Sequence, residues 1–299
     1  MPRSNIENLP IPPKRYRPNC STENPNGIIT FETKQDARRE DKKRVKALKR
    51  QLKRDGHLLS PKKRTKIIQL IKDIKHAKSQ ASSVYMRKQR IRIAGNLWQI
   101  IDEGEAASSC FTLIPRTWEF PGEQLHKADP IILLAQLRQA LIRDGADAAG
   151  GWLFVGLHGE HEPTEDIYRL HVHGVATGGM IAVVDRLRKR SNFKSERKPP
   201  TSDPVYQRLR MTRETLANLP EPLTYMTQSF WPAKTIFELR LGDTRRQTKK
   251  HRIKGPRHTE VLMWQSKHRL RDTTLLMGIR ATKSGLEIIR KTYTNGGGI

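Results

Sequence analysis

The sequence predicts an α+β protein: an antiparallel sheet carrying two helices, with basic helical extensions before and after it. Three observations support that expectation. The chain has 299 residues of which 35% are apolar, enough for a real core in one or two domains but not for a chain that is globular throughout. Its middle alternates short strand-forming runs with helix-length amphipathic stretches. Its formal charge of +27 is segregated: residues 1–100 carry net +18, residues 101–180 net −7 and residues 181–299 net +16.

The elements follow in order. Residues 1–33, rich in Pro and Asn, are predicted to be a flexible leader. Residues 34–104 form a basic helical region. The first helix, Lys34 to Arg54, has only a thin apolar stripe of Val45, Leu48 and Leu52. Ser60 and Pro61 open a second helix, with Ile67, Ile68, Leu70, Ile71 and Ile74 on it. A third runs from about Ser83 to Glu103. The bland reading of all three is a helical hairpin or small bundle with a basic surface, the sharper one direct contact with DNA. The central domain, 105–240, begins with a strand at Cys110–Ile114. A helix capped by Asp129 and closed by Gly145 follows. Strands at Trp152–His158 and Arg169–Thr177 come next, joined by a polar HEPTED loop. A helix over Met180–Arg190 and a strand over Val205–Met211 complete the order β-α-β-β-α-β, the ferredoxin-like split arrangement.

Charge and apolar runs exclude several classes. No apolar run approaches the ~18 to 20 residues of a membrane helix, and the Pro-rich start lacks a signal segment, so a cytoplasmic location is expected. Cys20 and Cys110 supply neither a disulfide framework nor a cysteine zinc module and are expected as free thiols. The basic excess favours a polyanionic partner, of which nucleic acid is the commonest.

The stretch Arg169 to Val175 carries the chemistry. Alternate strand residues share a face, so His171 and His173 project together about 6.5 to 7 Å apart. Two such imidazoles are often plain strand residues. The preceding strand, however, ends in Leu157-His158-Gly159-Glu160-His161-Glu162, and a hairpin brings its side chains alongside. Glu160 is then the preferred third ligand of a divalent cation, with His158 second. His161 and Glu162 are read as solvated loop residues. The donor set suits Mg²⁺ or Mn²⁺ and would accept Zn²⁺ or Co²⁺.

This stretch resembles the histidine motif of the HUH endonucleases, the superfamily of rolling-circle replication initiators, relaxases and single-strand transposases. Phe111-Thr112-Leu113-Ile114 resembles the initiators' first motif. Leu223-Thr224-Tyr225-Met226-Thr227-Gln228-Ser229 resembles the third, in which a helix, here opened by Glu221-Pro222, presents a nucleophilic tyrosine. The resemblance spans about residues 108–232. It implies a metal-dependent enzyme that nicks and joins single-stranded origin DNA through a 5′ phosphotyrosine on Tyr225. A host helicase and polymerase are implied as partners, and no membrane. The alternatives are a transposase or relaxase of the same superfamily, and a non-catalytic nucleic-acid-binding protein. The last is motivated by Gln228, which stands where the family commonly has Lys. Thr112, Tyr168 and Lys234 are expected to face nucleic acid.

Residues 241–299 are read as a basic C-terminal helical region. Arg245, Arg246, Lys249, Lys250 and Arg252 are expected to touch nucleic acid. Two helices, one at Val261–Trp264 and one with Leu270, Leu275, Leu276 and Ile279, would form a helix-turn-helix-like unit or pack on the central domain.

Overall fold

The computed structural model describes residues 6–18, 31–197, 204–212, 216, 218–228, 230–238, 244–246 and 251–289. Helices α1 (Lys34–Asp55), α2 (Pro61–Lys75) and α3 (Ser83–Asp102) make the N-terminal bundle. Each starts where a hydroxyl side chain caps it: Thr33, Ser60 and Ser82 accept from the amides of Asp36, Lys63 and Tyr85. The thin stripe of α1 suffices because Leu48 meets the apolar face of α2, Ile67, Leu70, Ile71 and Ile74, in one buried cluster. A polar contact fixes the third helix. Asp41 of α1, itself buried, accepts from Ser82 Oγ and from the amides of Ser83 and Val84, capping α3 from outside.

Within the leader predicted to be flexible, the described residues 6–18 pack against the bundle. Ile6, Leu9 and Tyr16 are buried against α3. The Tyr16 hydroxyl donates to Asp102 at 2.8 Å, and the Asn96 amide donates to the Pro10 carbonyl at 3.1 Å. Prolines that fix φ reduce the entropy lost on docking, so a polar-looking segment with three well-placed apolar anchors is ordered.

The central part contains β1 (Ser108–Leu113), β2 (Glu119–Pro121), α4 (Pro130–Arg143), β3 (Leu153–Glu162), β4 (Ile167–Thr177), α5 (Gly179–Arg186), β5 (Glu196–Arg197), β6 (Pro204–Tyr206) and β7 (Leu209–Met211). β3 and β4 form a long antiparallel hairpin, β1 lies antiparallel on β4, and β7 antiparallel on β1, so four strands run in the order β7-β1-β4-β3. β2 also pairs with β4, and β5 with β6 makes a separate ribbon. The hairpin is longer than the sequence predicts: His161 and Glu162 are buried strand residues instead of solvated loop residues. Asp129 caps α4, and Gly145, at φ +92°, ends it as predicted. α4 and α5 cover one face of the sheet, where Leu133, Leu137, Leu141, Val183 and Val184 pack on Leu113, Val155 and Val172.

Beyond this come α6 (Glu221–Thr224), β8 (Pro232–Ala233), β9 (Ile236–Glu238), β10 (Thr244–Arg246), β11 (His251–Arg252), α7 (Gly255–Lys267), β12 (Thr274–Met277), β13 (Ile279–Ala281) and β14 (Leu286–Ile288). The second C-terminal helix is absent. Leu270 lies in a 3-10 turn, Ile279 in β13, and Leu275 and Leu276 in β12, which pairs antiparallel with the start of β3, Thr274 opposite Gly156 through Met277 opposite Leu153. β8 adds to the far end of β3 in parallel, making the sheet mixed and eight-stranded among the described residues. Of the two arrangements expected for the C-terminal helices, α7 takes the one packed on the rest of the chain. Val261 and Trp264 of α7 belong to the core of the sheet, Leu262 to that of α1 and α2, and the Trp264 indole donates to the Ala128 carbonyl at 2.8 Å. No described helix is long and apolar enough to cross a membrane.

Candidate active site

The sheet face turned away from α4 and α5 changes character along its length. At one end Phe154 and Val175 are buried under α3 and α6. At the other the pleat presents polar side chains. Directly paired residues share a face, and the register sets His158 opposite His171, Gly156 opposite His173 and Thr112 opposite His173. Three imidazoles therefore gather there, with ring centroids 5.0 Å apart for His171–His173 and His158–His173, and 6.0 Å for His158–His171. Each ring has a nitrogen engaged. His173 Nδ1 meets Thr112 Oγ1 at 2.8 Å, His158 Nε2 meets the Met226 carbonyl at 2.9 Å, and His171 Nδ1 makes a longer contact of 3.4 Å with the Arg169 carbonyl.

The third motif reaches the same place. α6 is a single turn, and Tyr225 is its C-cap, so the tyrosine follows a helix instead of riding in one. Tyr225 is 37% exposed between two buried neighbours, Thr224 and Met226. Both flanking carbonyls are held. Arg90 of α3 donates to the Thr224 carbonyl from Nη2 at 2.9 Å and from Nε at 3.3 Å, and His158 holds that of Met226. Arg90 is itself fixed by the Glu32 carboxylate and lies 4.6 Å above the Phe31 ring. Gly156 makes the approach of the loop to the sheet possible: a Cβ there would lie 1.7 Å from the Met226 carbonyl oxygen.

The remaining sequence-predicted residues separate into several groups. Glu160 lies one pleat beyond His158, 3% exposed, and pairs with Lys234 Nζ at 3.0 Å. Lys234 is thus the carboxylate's partner, not a surface cation waiting for nucleic acid. Thr112 orients His173. Tyr168 does not fit a base-stacking role: it is fully buried on the opposite face, its hydroxyl donating to Glu260 at 2.7 Å. Burial and that carboxylate push its phenol well above the ordinary range. Arg252 is committed to both oxygens of Glu40. Burial alone would raise the Glu40 carboxyl, but the guanidinium groups of Arg252 and Arg44 hold it at about 2. Gln228 opens onto a cleft of about 380 Å³ between its loop and α1, lined also by Arg39, Lys43 and Phe230. Arg245 and Arg246 lie on β10, while Lys249, Lys250 and Cys20 lie outside the described residues. Cys110 is a free thiol that burial pushes up to about 12.

Three imidazoles on one face, with outer nitrogens held by a hydroxyl and by backbone carbonyls, have the donor chemistry of a borderline divalent-cation site. Among the described residues, however, no three His, Cys, Asp or Glu side chains are grouped as the ligands of one ion. The donor types nonetheless fit a divalent cation. His158 joins the ring cluster directly, whereas Glu160 is held by Lys234. No protein-family model, no curated protein and no solved structure matches the chain.

Sequence reasoning missed Arg90 and Gly156. A single arginine in a basic helix carries no distinguishing signal, and the glycine's role exists only once the Tyr225 loop is laid on the strand.

Proposed function

We propose that the chain is a DNA strand-transferase of the HUH type, a replication initiator that nicks and rejoins single-stranded origin DNA. The observation that carries the reading is the convergence of separate motifs. The Tyr225 turn, the His171/His173 strand and Thr112 of β1 meet at one patch, and His158 links the tyrosine's loop to the imidazoles at 2.9 Å. The strand order β7-β1-β4-β3 with two helices on one face supports a ferredoxin-like core for this site.

In this reading Tyr225 Oη forms the new bond to phosphorus and the bond to the 3′ oxygen breaks. The leaving group ends as a 3′ hydroxyl, and the 5′ phosphotyrosine conserves the ester for rejoining. Arg90 and His158 fix the backbone on either side of the nucleophile, which limits the positions its ring can take. Thr112 sets the ring orientation of His173. A divalent cation, Mg²⁺ or Mn²⁺ in the first instance, would be held by His171, His173 and His158 with Glu160 adjacent, and would supply Lewis acidity at a phosphate oxygen.

The test is incubation of the protein with labelled single-stranded DNA and Mn²⁺. A covalent adduct is expected that is lost in Tyr225→Phe and after chelation. An adduct that survives in Tyr225→Phe overturns the assignment. Gln228, a neutral amide near the tyrosine, motivates the second reading, a binding protein without the reaction. Retained DNA binding with no adduct from any strand would favour it.

A further inference from the structure

Helix α1 carries a second feature, remote in character from the imidazole patch. Arg38, Lys42, Lys46, Lys49, Arg50 and Lys53, all exposed, line one groove. The steps of four residues among them advance about 6 Å along the helix axis. Lys75 at the end of α2 faces them, and the groove between the helices encloses about 700 Å³ over a floor that includes Val45, Ile74 and Val84. The carboxylate in the lining, Asp41, is turned into the start of α3, where it accepts three hydrogen bonds. Other arginines of the same helix are matched: Arg39 with Asp36, Arg44 with Glu40 and Arg54 with Asp55. Among the described residues, none of the groove's seven cations has an ion-pair partner.

Uncompensated cations in a row cost self-repulsion unless an anion meets them. We propose that this groove binds the sugar-phosphate backbone of a single-stranded nucleic acid, and that it does so independently of the nicking centre. Three features point to a single strand. The groove is concave, lying between two packed helices about 8 to 10 Å apart, which admits a strand more readily than a duplex. The cation step of about 6 Å is comparable to the distance between successive phosphates along a strand, so a strand laid in the groove meets cations in step. The aliphatic floor offers apolar contact to sugars and bases, which a duplex keeps stacked inside. There is no aromatic platform among the described residues of the lining, so the site would hold the strand without reading its sequence.

The experiment compares two fourfold variants of the full chain with equal charge change. One is Lys42→Gln/Lys46→Gln/Lys49→Gln/Lys53→Gln in the groove. The other is Lys62→Gln/Lys63→Gln/Lys66→Gln/Lys72→Gln on exposed positions of α2 outside it. Anisotropy titrations use a labelled mixed-sequence oligonucleotide, single-stranded or annealed, at several salt concentrations. The groove variant should bind the single strand at least tenfold more weakly, and its log–log salt slope should shrink by about 3, roughly 0.7 for each phosphate no longer neutralised. The α2 variant should change little. Equal losses in both variants, no loss in the groove variant, or a loss confined to duplex would each overturn the proposal. The same comparison in a Tyr225→Phe background, where no adduct can form, keeps it separate from the nicking reading.

Discussion

The carbonyls on either side of Tyr225 accept from Arg90 and from His158, so the one exposed residue of that turn is positioned through its backbone. Arg90 does three things with one guanidinium: it meets a carbonyl, a carboxylate and the face of Phe31. A lysine keeps the charge but not the planar fork, and cannot reach carbonyl and carboxylate together. On the proposed strand-transfer reaction, Arg90→Lys is therefore expected to slow adduct formation about tenfold, or ~1.4 kcal/mol, at saturating DNA. Affinity for DNA should be unchanged. A purely structural role would lower the melting temperature and leave the rate per folded molecule intact. The histidine pair was legible because strand periodicity puts alternate residues on one face. Arg90 was not, since it contacts a residue 134 positions away and nothing local distinguishes it from its basic neighbours.

Elements hold each other here through ends as much as faces. The N-terminus of α3 is capped by Ser82 from its own chain segment and by Asp41 from the middle of α1, so α1 is locked in rotation about its axis and its cationic row keeps a fixed direction. Replacing Asp41 by Ala removes the acceptors of the buried Ser83 amide and the half-buried Val84 amide. The expected cost is about 2 kcal/mol, measurable by urea denaturation, with Asp41→Asn losing less. α1 was readable from its helix-forming composition, and α2 and α4 because a serine or aspartate cap followed by Pro punctuates them. β12 was not. Four residues, Thr-Leu-Leu-Met, fit a buried strand and a helix turn equally, and only the open edge of β3 decides between them.

Over the whole molecule, the acidic minority of the segregated charge is met in space by the basic majority. The central carboxylates meet cations from the C-terminal flank: Glu160 with Lys234, Asp166 with Arg257 and Asp144 with Arg190. Glu40 in the basic N-terminal region meets Arg252 likewise. The acidic middle thus acts as internal glue for a basic protein, a role that composition alone could not separate from cation binding. Around that last pair lies a titratable group. Burial, then Arg44 and Arg252, lower the His258 imidazole from 6.5 to about 4 against the smaller pull of Glu40. A histidine kept neutral in the fold stabilises fully above its unfolded pKa, and the contribution is lost as pH falls between about 6.5 and 4. Stability at pH 5 should be about 2 kcal/mol below that at pH 7.5 from this group. His258→Gln should flatten that part of the denaturation profile; an unaltered profile would remove His258 as its source.

The pairing of β12 with β3 also bears on how the chain matures on the ribosome. β3 acquires β4 within a few residues of its own end, but its other neighbour at Leu153–Gly156 is not made until residues 274–277 emerge. Through that interval the strand carrying His158 has a bare apolar edge, a ready template for pairing with another nascent chain. Any shortened product that stops before Met277 would keep that edge permanently, so the last quarter of the sequence protects the sheet from its own copies as well as completing it.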